Sequence, residues 1–255
     1  MHFIDTHTHL YLEEFKADID TVIEQALLNK IDKFFLPNID SSAIEDMFLL
    51  EQKFPGKCYP MMGLHPCYVK ENYQSELNIV EEWLSKRSFA AIGEIGLDYY
   101  WDTNFKEQQM HCFTTQMQWA LKYELPIVIH SRNATPETIE AVKPFAAKGL
   151  KGIFHCFGGS VEEANAIIDL GFLLGIGGVC TYKKAGLDVV LKHIELQHIV
   201  LETDSPYLTP VPYRGKRNES AYIKIIAQRV AEIKACSLEE VARVTTENAL
   251  GTFKI

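Results

Sequence analysis

Residues 3–9 read FIDTHTH, a short apolar segment that runs into two histidines separated by one residue. Side chains at positions i and i+2 of a strand point the same way, so His7 and His9 can reach one centre. Neutral imidazoles are good ligands for zinc and similar ions. Taken alone, the pair could also be two ordinary core histidines, and the rest of the chain has to decide between these interpretations.

This segment belongs to the first of eight short apolar runs rich in β-branched and aromatic residues, each followed by a longer stretch with helical spacing. Eight units in 255 residues give about 32 residues per unit, the size of a strand and its crossover helix. We predict one α/β domain over residues 1–255, either a (β/α)8 barrel of the TIM type or a doubly wound open sheet. The predicted strands cover residues 2–8, 33–37, 58–64, 89–95, 125–129, 151–155, 171–176 and 198–201.

Polar residues at the ends of later runs extend the pattern. Glu94 lies among glycines and apolar residues of the fourth run, where burying an unpaired carboxylate costs several kcal/mol. A cation is its expected partner, with a buried salt bridge as the alternative. His130 and His155 directly follow the fifth and sixth runs, and the eighth run leads into Glu202 and Asp204.

A closed barrel would bring these side chains to one mouth, whereas an open sheet would spread them along a line. The pattern therefore favours the barrel. His65 and Asp98 lie one step further out and fit a supporting role or a substrate contact better than a ligand role. The candidate metal ligands are His7, His9, Glu94, His130, His155 and Asp204.

Six ligands exceed what one catalytic zinc ion needs, because such an ion usually takes three protein ligands and a water. Two ions with a bridging carboxylate fit the set better. A pair of this kind lowers the pKa of a water and clamps the attacking and leaving oxygens of a displacement. The sequence therefore predicts a hydrolase.

Composition restricts the remaining possibilities. A hydrophobic content of 47% excludes general disorder, and 25 Lys and Arg against 34 Asp and Glu give a net charge of −9. That charge argues against coating a long polyanion, so any nucleic-acid contact has to be local.

The six cysteines form no C-x-x-C pair and are expected to be reduced thiols. No targeting segment and no apolar run of roughly 18 residues is seen, which predicts a cytoplasmic protein without a membrane span.

Two segments near the predicted mouth could contact substrate. Residues 214–218 read RGKRN, and the guanidinium groups of Arg214 and Arg217 suit phosphate oxygens, although an ordinary solvated loop is the alternative. Residues 99–101 read YYW and could stack on a base or pack the loop against the barrel.

Seven motifs recur along the chain in a fixed order: FIDTHTHL, GLHP, GEIGLDY, IVIHSR, HCFGGS, LETDSPYL and YRGKRNE. Together they resemble the TatD family of metal-dependent deoxyribonucleases, which belongs to the amidohydrolase-type barrels. The resemblance covers nearly the whole chain, in the family's order and spacing, and is closer to the branch that keeps the H-x-H motif. Two departures, Asn133 and Ser220, bear on substrate preference because neither replaces a candidate ligand.

The resemblance implies a division of the ligands between two divalent ions, which would be Mg²⁺, Mn²⁺ or Zn²⁺. One ion would be held by His7, His9, Glu94 and Asp204, and the other by Glu94, His130 and His155, with Glu94 as the bridge. Asp204 would take the proton from the attacking water, with Glu202 as the next candidate. Substrate contacts would come from His65, Asp98, Glu202, Arg214 and Arg217.

Three functions follow as hypotheses. The first is hydrolysis of DNA phosphodiesters, as a 3′-to-5′ exonuclease acting on single strands or 3′ ends, without an obligate protein partner. The second is amidohydrolase-type cleavage of a small C–N or ester substrate, including deacylation of D-aminoacyl-tRNA. The third is a non-catalytic metal-binding module. The basic segment favours phosphate over a neutral amide, and the carboxylates able to activate water disfavour the third hypothesis.

Overall fold

Eight parallel strands run through the part of the chain that this computed structural model describes, residues 1–253 and 255. Two of them, the fourth and fifth, extend further than the sequence predicts, to Asp98 and Arg132, while the first already ends at Asp5. The strands are β1 (Phe3–Asp5), β2 (Ile31–Pro37), β3 (Cys58–Met61), β4 (Ile92–Asp98), β5 (Ile127–Arg132), β6 (Gly152–Phe154), β7 (Leu173–Ile176) and β8 (Ile199–Leu201).

The strands close into a barrel. Parallel pairing forms one sheet of β1, β2 and β3 and a second sheet of β4 to β8, each in chain order. Backbone hydrogen bonds join these two sheets along both of their edges. The N–H of Thr6 donates to the carbonyl of Leu201 at 3.1 Å, between β8 and β1, and the N–H of Met62 donates to the carbonyl of Ala91 at 3.2 Å, between β3 and β4. The predicted (β/α)8 barrel is therefore confirmed, and the doubly wound sheet is excluded.

The helices surround this barrel. The first eight each follow the strand of the same number, and α9 packs against β1 and β8. None of the described helices is both long and apolar enough to cross a membrane. The helices are α1 (Ile19–Leu28), α2 (Ile44–Lys53), α3 (Tyr73–Lys86), α4 (Lys106–Tyr123), α5 (Thr135–Ala146), α6 (Val161–Asp169), α7 (Leu187–His193), α8 (Ile223–Lys234) and α9 (Leu238–Thr252).

Alternation along the strands divides the apolar residues into two layers. Val128 of β5 and Ile153 of β6 belong to a small cluster inside the barrel, whereas their neighbours pack between strands and helices. Side chains two residues apart share a face, so His130 and His155 also point into the barrel. Phe253, after α9, fills the opposite end of the interior by stacking on a phenylalanine of β2 at 3.8 Å between ring centroids.

The seam between β8 and β1 is held by a buried carboxylate. Asp5 accepts hydrogen bonds from the N–H (2.9 Å) and the hydroxyl (2.7 Å) of Thr203, and from the hydroxyl of Ser220 at 2.6 Å. Burial raises the pKa of Asp5 to about 7, and the donors oppose this rise. Ser220, one of the two departures from the TatD-like pattern, therefore stabilises the seam, which a proline at that position could not do because it lacks a donor.

We expect Ser220→Ala to lower the free energy of unfolding by about 1.5–3 kcal/mol at pH 8, the range for a hydrogen bond to a charged group. The loss should be smaller at pH 5.5. There Asp5 is protonated and accepts a weaker bond, because its pKa in the folded protein is about 7. Urea denaturation with EDTA present measures both values. Ser85→Ala, which removes a hydroxyl exposed on α3, is the control, and an equal effect of the two substitutions would contradict the prediction.

Candidate metal centre

Glu94 lies at an irregularity of β4. Ile92 pairs with Ile127 and Ile95 pairs with Ile129, so β4 contains one more residue than β5 over this interval. Bulges of this kind change the direction in which a side chain points. Gly96 is required just beyond, because its φ is +144° and a Cβ there would lie 2.0 Å from the carbonyl oxygen of His130. The local backbone therefore turns the Glu94 carboxylate into the barrel, where 2% of the residue is exposed.

The two oxygens of Glu94 face different histidines. Oε2 lies 3.1 Å from Nε2 of His7 and 3.7 Å from Nε2 of His9. Oε1 lies 2.9 Å from Nδ1 of His130 and 3.2 Å from Nε2 of His155. The carboxylate thus stands between two groups of imidazoles, one from the β1 segment and the other from β5 and β6.

Asp204 completes the group on the β1 side. Its Oδ1 lies 3.7 Å from Nε2 of His7 and 3.5 Å from Nε2 of His9. The residue has a φ of +55°, so the backbone leaves the extended strand conformation after β8. All six ligand candidates from the sequence are therefore brought together at the carboxyl ends of the strands.

Burial and charge act against each other on these groups. Burial would raise the pKa of Glu94, but His65, His155 and His7 hold it well below the usual value. Burial lowers the pKa of His7. Burial would also lower the pKa of His130, but hydrogen bonds to Asp98 and Glu94 raise it. The carboxylate is therefore ionised, and His7 is neutral and able to act as a ligand.

The residues present fit divalent cations. Both ring nitrogens of His7 are buried and lack a partner with hydrogen-bond geometry among the described residues, a costly arrangement unless a cation takes one of them. Ligand atoms of His7, His9 and Glu94 lie within 4.8 Å of one another, as do those of Glu94, His130 and His155. Imidazole nitrogens and carboxylate oxygens are the ligands of zinc sites and of related transition-metal sites.

Outer residues orient the imidazoles. Nδ1 of His9 lies 3.0 Å from the hydroxyl of Tyr11, which donates its own proton to the carbonyl of Pro37. His9 therefore donates through Nδ1 and leaves Nε2 free to bind a cation. Nε2 of His130 contacts Oδ2 of Asp98 at 2.8 Å. Such partners fix the tautomer and raise the basicity of a metal ligand.

His65 carries its proton on the other ring nitrogen than His9 does. Its Nδ1 accepts a hydrogen bond from the N–H of Cys67 at 3.0 Å, so in the neutral ring Nε2 carries the proton. That nitrogen lies 3.2 Å from Oε1 of Glu94. His65 is therefore arranged as a hydrogen-bond donor, which disfavours a metal-ligand role for it.

These groups line a cavity of about 580 Å³ at the barrel mouth, a size that suits a small ligand or part of a polymer. His65 and Asp98 are among the lining residues, as the sequence led us to expect of substrate contacts. The polar and charged lining comprises His9, His65, Cys67, Glu94, Asp98, His130, Ser131, Arg132, His155, Cys156 and Asp204.

A sequence comparison decides the family. The model of the family described as TatD related DNase matches residues 4–254 of this chain. The chain belongs to the TatD family. The resemblance drawn from the motifs is thereby confirmed, and this TatD-family chain is a metal-dependent hydrolase.

Three TatD-type proteins illustrate the similarity. The uncharacterized metal-dependent hydrolase YabD of Bacillus subtilis is 37% identical over 252 residues, which cover 98% of each chain. The 3'-5' ssDNA/RNA exonuclease TatD of Pectobacterium parmentieri is 27% identical over 98% of this chain and 99% of its own. The crystal structure of the TatD homolog YJJV from Escherichia coli K12 has a TM-score of 0.93 and 25% identity, covering 99% of this chain and 98% of that one.

Three predicted substrate contacts of this TatD-family chain, Glu202, Arg214 and Arg217, require correction because none of them lines the cavity. Glu202 is fully buried, and its Oε1 accepts the N–H of Cys156 at 2.5 Å and lies 3.2 Å from Nδ1 of His155. The Glu202 carboxylate therefore contacts His155 on the side away from the cavity and does not line the cavity. Its proximity to Gly175, where a Cβ would lie 2.3 Å from Oε2 of Glu202, explains why that strand position carries no side chain.

Arg217 likewise has a structural role. Its guanidinium forms two hydrogen bonds with Asp18, at 2.9 and 2.7 Å, and one with Glu219 at 2.9 Å. It thus ties the segment before α8 to the segment before α1 and is not available for phosphate. Arg214 lies over the ring of Tyr182 at 4.3 Å, also outside the residues that line the cavity.

Sequence reasoning missed two residues, of which one carried a signal. Arg132 follows His130 by two residues in β5, and side chains two positions apart in a strand share a direction. Tyr11 lies in the turn that follows β1, where no periodic pattern places it beside His9. The second departure from the pattern, Asn133, has a φ of +52°, a conformation that asparagine adopts more readily than most residues.

We expect Tyr11→Phe to weaken the binding of a divalent metal ion by about 10- to 100-fold, the usual effect of removing a partner of a ligand. The reason is that His9 loses the acceptor that fixes its tautomer. Calorimetric titration of EDTA-treated protein with Mn²⁺ measures the affinity. Tyr68→Phe is the matched control, because Tyr68 also lines the cavity and its hydroxyl has no hydrogen-bond partner among the described residues. Equal metal affinities of the two variants would contradict this role for Tyr11.

Proposed function

We propose that this TatD-family hydrolase is a two-metal deoxyribonuclease that removes nucleotides from the 3′ ends of single-stranded DNA. In this proposal residues 1–255 form one domain. The observation that carries the proposal is the division of the Glu94 oxygens between two groups of imidazoles. The name of the Pectobacterium relative, a 3'-5' ssDNA/RNA exonuclease, supports the substrate and the polarity.

In this proposal His7, His9, Glu94 and Asp204 hold one divalent ion, and Glu94, His130 and His155 hold the other. When bound, such a pair lowers the pKa of a water and neutralises charge that develops on phosphate oxygens. The nitrogen-rich ligand set fits Zn²⁺ better than Mg²⁺, which takes oxygen ligands, while Mn²⁺ accepts both types.

Asp204 is the proposed acceptor of the proton from the attacking water. Its side chain is 16% exposed and lines the cavity, so a water can reach it. Burial would raise the pKa of Asp204, but the neighbouring imidazoles of His9, His155 and His7 lower it. The carboxylate is therefore ionised at neutral pH and available to accept a proton. Glu202, the alternative base, lies beneath His155 without access to the cavity.

His65 and Asp98 have separate roles in this account. The proton on Nε2 of His65 is directed toward the centre and can donate to a phosphate oxygen on which negative charge increases. Asp98 orients His130 through Oδ2 and also lines the cavity. The net charge of the protein is −9, so its overall charge repels phosphate. The negative charge of a phosphate therefore has to be compensated locally, by groups in the cavity.

The test is hydrolysis of single-stranded oligonucleotides whose 3′ or 5′ end is blocked, with Mn²⁺, Mg²⁺ or Zn²⁺ added to EDTA-treated protein. We expect release of mononucleotides from free 3′ ends. Asp204→Asn should reduce turnover by at least the ~10²–10⁴ that a general base contributes. Asp169→Asn, at an exposed position of α6, should leave turnover unchanged. Intact oligonucleotides together with cleavage of small amides, esters or D-aminoacyl-tRNA would overturn the nuclease proposal in favour of an amidohydrolase.

A further inference from the structure

Two large aromatic side chains are exposed on the loop that follows β4. Trp101 is 67% exposed and Tyr100 is 51% exposed. Their ring centroids lie 4.9 Å apart at an interplanar angle of 85°. Trp101 also lines the cavity that contains Glu94 and Asp204. Because the indole is exposed, packing of the loop against the barrel does not explain why a tryptophan occupies this position.

A cation accompanies these rings. The guanidinium carbon of Arg132, at the end of β5, lies 3.9 Å from the ring centroid of Tyr100 and 5.2 Å from that of Trp101. Within the described residues no carboxylate pairs with Arg132, although the protein carries a net charge of −9. Four of the six arginines do form such pairs, Arg87 with Glu51, Arg217 with Asp18, Arg229 with Glu232 and Arg243 with Glu247.

The aromatic loop and the metal centre share one anchor. Oδ1 of Asp98 accepts the N–H groups of Tyr100 at 2.9 Å and Trp101 at 3.0 Å, while Oδ2 contacts His130 at 2.8 Å. The position of the rings is therefore fixed relative to a candidate metal ligand. A surface held in this way loses little freedom when a planar ligand binds to it.

We propose that Trp101 and Tyr100, with Arg132, form a subsite for the unpaired nucleobase of the nucleotide next to the scissile phosphate. The base stacks on the exposed indole, and the guanidinium compensates the adjacent phosphate. Stacking on an aromatic side chain tolerates all four bases and requires a base that is not stacked in a duplex. The subsite would thus give the enzyme its preference for single strands, and it rests on the proposed nuclease function.

Fluorescence titration tests the subsite without hydrolysis. The probes are a phosphorothioate-linked pentathymidylate and the same sugar-phosphate chain without bases, added to protein with saturating Mn²⁺. The other two tryptophans, Trp83 and Trp119, are partly buried against the core, so quenching by a stacked base reports on Trp101. We expect quenching and tighter binding with the thymidylate only.

Substitutions complete the test. Trp101→Leu should weaken thymidylate binding by about 5- to 150-fold, the range for loss of one stacked base, and leave the abasic chain unaffected. Trp101→Phe should retain most of the affinity and lose the quenching. Tyr213→Leu, which removes an aromatic ring 37% exposed outside the cavity, should change neither. Equal binding of the two probes, binding of neither, or an equal loss for both in Trp101→Leu would overturn the subsite.

The outcome is separable from the nuclease proposal. Base-dependent binding without cleavage of unmodified DNA would support the subsite and overturn the nuclease. Cleavage of normal and abasic oligonucleotides with the same KM would support the nuclease and overturn the subsite.

Discussion

The Glu94 carboxylate lies inside the barrel with 2% of the residue exposed, and five imidazoles surround it within 3.7 Å. An isolated charge at such a position would cost several kcal/mol or be neutralised by protonation. The compensating groups come from the segments after β1, β3 and β6 and from β5, which lie close together only when the sheet closes. The same interaction therefore constrains the fold and assembles the centre.

A second layer of contacts orients three of the imidazoles. Tyr11 and Pro37 act on His9, Glu202 acts on His155, and Asp98 acts on His130. The functional geometry thus depends on residues that themselves need not touch a substrate. Asp98 extends this dependence to the loop of Tyr100 and Trp101, so a change at one carboxylate would affect both a ligand and the cavity rim.

The sequence predicted the barrel and the convergence of the six candidate ligands because both follow from local rules. Apolar runs identify strands, and parallel strands of a barrel end at a common mouth, so polar residues at those ends can be placed without coordinates. The different positions of Glu202 and Asp204 do not follow from the sequence. A φ of +55° at Asp204 turns the chain, leaving Glu202 below His155 and Asp204 at the cavity. The partners of Arg217 are distant in sequence or on an irregular segment, and no periodic pattern marks them.

We propose that Glu94 bridges two ions. Crystals grown with Mn²⁺ would test it directly through anomalous scattering measured near the manganese absorption edge. We expect two anomalous peaks per chain, each in contact with a different oxygen of Glu94, one beside His7 and His9 and the other beside His130 and His155. A single peak, or two peaks of which only one contacts Glu94, would contradict it.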